Sequence, residues 1–121
     1  MSGFAPRCVA LVRHPSTPAP AVRRIDVEVS STPEGGLRLR FFLDGDVNGI
    51  AVPPPAEPRQ ADGLWQHTCF EAFIGGQGSR AYCEFNFSPS TEWAAYGFSA
   101  YRAGMVPIDY TNPPLVAVST T

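Results

Sequence analysis

Thirteen prolines and eleven glycines are scattered through the 121 residues, and they rule out long helices. Between them the chain alternates apolar and polar residues with a period of two, the mark of strands that bury one face. Ile25, Val27 and Val29 share a side, with Asp26 and Glu28 opposite. Leu37, Leu39, Phe41 and Leu43 do the same, with Arg38, Arg40 and Phe42 opposite. Residues 30–36, rich in Ser, Thr, Pro and Gly, are turn chemistry. Pairing about Pro33 sets Glu28 against Arg38 and Asp26 against Arg40, Val27 against Leu39 and Ile25 against Phe41. Charge and apolar matching thus agree on one antiparallel hairpin. The ion pairs are solvent-facing, so they speak for register more than for stability.

After a turn at Asp44, Gly45 and Asp46, residues 47–52 read as a third short strand that ends at the prolines 53–55. Residues 53–63 read as a loop. The densest pattern follows: strands at 68–74, 82–87 and 92–101, joined by the Gly-rich loop 75–79 and a turn at 88–91, form an antiparallel meander. Residues 104–114 read as loop and 115–118 as a last strand. An apolar strand at that point reads as an unfinished sheet. Either the domain is cut short on its C-terminal side, or a partner or second copy covers the edge.

The composition removes several function classes. Hydrophobic residues are 44% and charged residues 17%, as in a globular chain. All nine basic residues are arginine, the net charge is -2, and no basic stripe exists to neutralise phosphates, which argues against nucleic acid and an electrostatic membrane anchor. The apolar patch at 8–12 is too short for a signal peptide, so a cytoplasmic location is the expectation. Cys8, Cys69 and Cys83 lack metal-ligand spacing and read as reduced thiols; a Cys69–Cys83 bridge requires their strands to pair.

The meander holds the candidate chemistry. Cys69, Glu71 and Phe73 share one face of the first strand, and Tyr82, Glu84 and Asn86 share one face of the second. A symmetric connection sets Glu71 beside Glu84 and Cys69 beside Asn86. Adjacent carboxylates repel unless Arg80, Arg102, a bound Ca²⁺ or a proton compensates. A solvated polar face, recognition of a ligand, and catalysis or a metal site are the three readings. Retaining glycosidases need two carboxyls about 5–5.5 Å apart, but nothing separates these two into acid and nucleophile. Trp65, Trp93, Tyr96 and Tyr101 flank the meander as stacking surfaces. Trp93 and Tyr96 point to opposite faces, so one of them is core, while Trp65 at a loop–strand junction suits a cleft wall. His67 either bonds a ligand or caps the strand entry. Haem binding needs a second axial ligand; His14 and Met105 exist, but no spacing ties them to His67.

Taken in order, the stretches 64–71, 82–89, 93–96 and 101–102 resemble a bacterial family of DOMON-like domains, related to the family 9 carbohydrate-binding modules. The resemblance is clear over about the middle third of the chain. It implies one antiparallel all-β sandwich spanning residues 1–121, with a groove on one sheet. In the wider superfamily that groove takes sugars or haem, and the sugar-binding modules also hold Ca²⁺. Glu71, Glu84, Asn86, Trp93 and Arg102 fall in the matching stretches, and Trp65 and His67 join them from their positions. The chain departs from the pattern at His67 and Thr68, where sugar-binding modules carry an acidic residue, and in ending before the family domain does. The expected function is a non-catalytic carbohydrate- or small-ligand-binding module. A haem-binding domain and a structural or protein-interaction domain are the alternatives.

Overall fold

The computed structural model describes residues 4–108 and 113–120 and is all-β, with two antiparallel sheets of three and four strands. This is the strand content and sheet polarity expected of the sandwich class. The chain divides into two compact units, Met1–Ile50 and Ala51–Thr121, with one sheet in each.

In the first unit, β1 (Arg7–Ala10), β2 (Val22–Ser31) and β3 (Leu37–Gly45) form a meander in sequence order. The β2–β3 hairpin exists, but its register is two residues from the expected one: Glu28 faces Arg40, Val27 faces Phe41 and Ile25 faces Leu43. The turn explains the slip. The Thr32 N–H donates to the Gly36 carbonyl at 3.0 Å, and the Thr32 hydroxyl accepts the Gly36 N–H at 2.9 Å. Gly35 adopts a left-handed φ of 83°, which moves the apex from Pro33 to Glu34. An even slip keeps every side chain on its face, so the alternation survives while the partners change. Glu28 still meets an arginine, Arg40, at 3.6 Å.

Strand β1 takes in part of the apolar patch at 8–12, and Cys8 and Val9 face Glu28 and Val27. Its residues are all exposed, so no burial pattern marks it. The strand expected at 47–52 is instead a 3₁₀ turn, Val47–Gly49. Asp46 caps it by accepting the Asn48 N–H at 3.1 Å, and that local bond outcompetes the apolar alternation.

The second unit contains a 3₁₀ turn, Leu64–Gln66, followed by β4 (Phe70–Gly75), β5 (Tyr82–Phe87), β6 (Trp93–Phe98) and the two-residue β7 (Val106–Pro107). The expected meander is present with trimmed ends. Its first register is again two residues from symmetric: Glu71 faces Asn86 and Phe73 faces Glu84. Residues 53–63 are no free loop. The Trp93 N–H donates to the Arg59 carbonyl at 3.0 Å and the Ala61 N–H to the Trp93 carbonyl at 2.9 Å, a parallel contact along β6. Further along the same edge, Ile108 donates to the Ala95 carbonyl and β7 pairs with Tyr96 and Gly97. β7 lies in the stretch expected to be loop, of which residues 109–112 are outside the described residues. The last strand expected at 115–118 does not form: Leu115 and Val118 are exposed and the segment has no ladder partner among the described residues.

Leu64, Trp93, Ala94 and Ala95 are the buried apolar residues of this unit among the described residues. The β5–β6 turn is tied by Ser88 and Ser90, whose hydroxyls lie 2.8 Å apart. Ser90 also donates to Glu92 at 2.9 Å, and Arg59 donates to the other carboxylate oxygen at 2.8 Å.

Candidate functional site

The pairing of β4, β5 and β6 sorts the candidates by face. Phe70, Phe87 and Trp93 lie in one row, Ala72, Phe85 and Ala95 in the next, all on one side. Opposite them the rows are Glu71, Asn86 and Ala94; Phe73, Glu84 and Tyr96; and Gly75, Tyr82 and Phe98. Glu71, Glu84 and Asn86 therefore share a face, as the alternation predicts. Trp93 does not join them. It is 6% exposed on the other side of the sheet, which makes it core and removes it as a stacking surface for this face.

Glu71 and Glu84 are diagonal neighbours rather than directly opposed, because the slip puts Asn86 opposite Glu71. Asn86 is 3% exposed, and with its amide oriented by hydrogen-bond complementarity it donates to Glu84 Oε2 at 2.9 Å and to the Phe85 carbonyl at 3.2 Å. A neutral donor thus holds one carboxylate of the pair. Neither Arg80 nor Arg102 forms an ion pair among the described residues, so of the compensations open to this pair an arginine partner is not the one seen. The remaining tension shows in Glu71, whose carboxyl is raised above the usual range by burial and then by the charge of Glu84.

One acidic residue of this face was not legible in the sequence. Asp62, within the stretch read as loop, accepts a hydrogen bond from the Tyr96 hydroxyl. Burial, the bond to Asp62, and the charges of Asp62 and Glu84 push Tyr96 up to about 12. Burial and the nearby Glu71 likewise push the Cys69 thiol up to about 11, so it is a poor nucleophile at neutral pH. Cys69 and Cys83 are both free thiols.

Toward the Gly75 end the face turns aromatic. Tyr82 and Phe98 stack with centroids 4.8 Å apart and planes 9° from parallel, and Phe73 tilts against Tyr82 at 6.2 Å. The position of Tyr82 was readable from its alternation with Glu84; that of Phe98 needed the β5–β6 register. Arg102 lies at this end, its N–H donating to the Tyr82 hydroxyl at 3.1 Å. Trp65 is 68% exposed in the turn Leu64–Gln66, and this turn packs against β5. His67 is exposed at the C-cap of the same turn.

Comparison with protein-family models, curated proteins and solved structures gives no match. The chemistry must be read from the face alone. It offers carboxylate acceptors, an amide and a phenol in rows, with ring surfaces at one end. Among the described residues no group of three or more His, Cys, Asp or Glu is arranged to hold a metal ion, and no helix is long and apolar enough to cross a membrane.

Proposed function

We propose that the Glu71–Tyr82–Tyr96 face is the binding surface of a non-catalytic carbohydrate-binding module. The observation that carries this is the juxtaposition of Glu71, Glu84, Asn86 and Tyr96 with the Tyr82–Phe98 stack on one side of one sheet. Sugars present hydroxyl donors along an edge and apolar C–H surfaces on their faces. Carboxylates accept the first, with Asn86 beneath them holding Glu84 in place, and aromatic rings cover the second. The sequence resemblance to DOMON-like domains, relatives of the family 9 carbohydrate-binding modules, supports the same reading. Binding is favoured over turnover because Asn86 and its bond to Glu84 give this carboxylate a holding role, and the Cys69 thiol is far from its reactive form at neutral pH.

The test is a titration with neutral mono- and oligosaccharides, followed by amide chemical shifts. Saturable shifts confined to β4–β6, weakened about tenfold or more in Glu84→Gln, are expected. If no saccharide moves those resonances, the reading falls.

A further inference from the structure

Beside the aromatic end of this face lies an open hollow of about 570 Å³, lined by Arg80, Tyr82, Ala100 and Tyr101. Its wall is built rather than incidental. The 99–104 turn is closed by Ser99 N–H to the Ala103 carbonyl at 3.0 Å and Ala103 N–H to the Ala100 carbonyl at 3.0 Å. Gly104 has a φ of +67°, and a Cβ there would sit 2.4 Å from the Ser99 hydroxyl, so the turn requires glycine at that position. Arg102 sits in the left-handed region at φ 53°, an uncommon conformation for a side-chain-bearing residue, and its N–H is held by the Tyr82 hydroxyl. The turn thereby presents the Arg102 guanidinium 5.1 Å above the Tyr101 ring. Arg80 approaches from the β4–β5 loop. Among the described residues neither guanidinium has a carboxylate partner.

The sheet face is therefore polarised along β5. Asp62, Glu71 and Glu84 make one end acidic; at the other, Arg80 lines the hollow and Arg102 stands beside it, its guanidinium over the Tyr101 ring. Glu84 and Tyr82 are two residues apart on one strand, about 7 Å, so a ligand a few sugar units long spans both ends. An anionic group is repelled at the carboxylate end and attracted at the arginine end. Guanidinium forks pair with planar carboxylates through paired N–H donors.

We propose that the hollow is a subsite for the carboxylate of an acidic sugar, a hexuronate residue. Its neutral hydroxyls run toward Glu84. This assignment rests on the carbohydrate reading above and adds the charge class and the direction of the ligand.

The experiment compares tri-galacturonate with its carboxyl-reduced, neutral trisaccharide by calorimetric titration, at about 0.05 M and 0.5 M salt. The acidic trisaccharide is expected to bind about tenfold tighter than the neutral one at low salt, with most of that margin lost at high salt. In the Arg80→Gln/Arg102→Gln double variant the ratio is expected to fall to near one. The Arg80→Gln single variant, at an exposed loop position, gives an intermediate ratio and serves if the double variant is not folded by near-UV circular dichroism. Equal affinities for the two trisaccharides, or a preference that survives the double variant, overturn the inference while leaving the carbohydrate reading in place. Absence of binding by either trisaccharide, alongside a negative neutral-sugar survey, overturns both.

Discussion

The Tyr96 phenol has two acidic neighbours: Asp62 accepts its proton, and Glu84 faces it from outside that bond. Burial first, and then both carboxylates, make the phenolate costly, so the proton is held to about pH 12. The folded value lies above the ordinary tyrosine value of about 10, so the native state binds this proton more tightly than the unfolded chain. The stabilisation it brings is intact below that ordinary value and is lost as pH rises toward the folded one. An ultraviolet titration should therefore show one delayed tyrosinate transition. Tyr96→Phe should abolish it and lower the unfolding free energy by about 1 kcal/mol, because a partly exposed charged acceptor returns to water. A titration curve unchanged in Tyr96→Phe would assign the delayed group elsewhere.

At the scale of elements, side-chain faces were legible in the sequence and pairings were not. Alternation alone placed Glu71, Glu84 and Asn86 on one side of their strands, and the structure keeps them there. Both hairpins nonetheless sit two residues from their symmetric registers. The apex of a Gly-rich turn depends on which residue adopts the left-handed conformation, as Gly35 does, and composition does not decide that. The slip matters chemically, since it puts Asn86 rather than Glu84 opposite Glu71. Asp62 was illegible for a different reason: its partner lies 34 residues away on β6. The segment at 56–61 was hidden likewise, its contacts being backbone bonds and an Arg59–Glu92 pair across 33 residues, made by residues of ordinary loop composition.

That segment depends on Glu92, whose side chain is 14% exposed between Arg59 and Ser90. Hydrogen bonds from Arg59 and then Ser90 hold its carboxyl below the usual range. Its contribution is thus present above the ordinary carboxylate range and lost as pH falls through the depressed value. The amides of Trp93 and Ala61, the two donors joining the segment to β6, are expected to lose protection from exchange, relative to their intrinsic rates, on acidification before those within β5 do. Ser90→Ala should bring that loosening to higher pH and cost about 1–2 kcal/mol, because Ser90 is buried and serves Glu92 and Ser88 together. Unchanged Trp93 exchange in Ser90→Ala would mean that the turn does not hold the segment.

For the whole molecule the balance of charge is thin: the net is -2 and the sequence pI about 5.6. No strand among the described residues pairs with the outer edge of β4, where Phe73 and Ile74 are 59% and 44% exposed. An apolar open edge on a nearly neutral protein invites edge-to-edge association. Turbidity should peak near the pI, and Ile74→Lys should suppress it at equal distance from its own shifted pI. Equal turbidity would place the association on another surface.

β6 draws its outer neighbours from opposite directions along the chain, residues 56–61 and residues 106–108. The consequence lies in time. The β4–β5 and β5–β6 hairpins join segments adjacent in sequence and can close within about 1–10 microseconds, whereas Arg59 must find Glu92 across 33 residues. Such a closure follows the local ones. The meander therefore assembles first, and the segment at 56–61, which carries the chain to Asp62, settles onto it last.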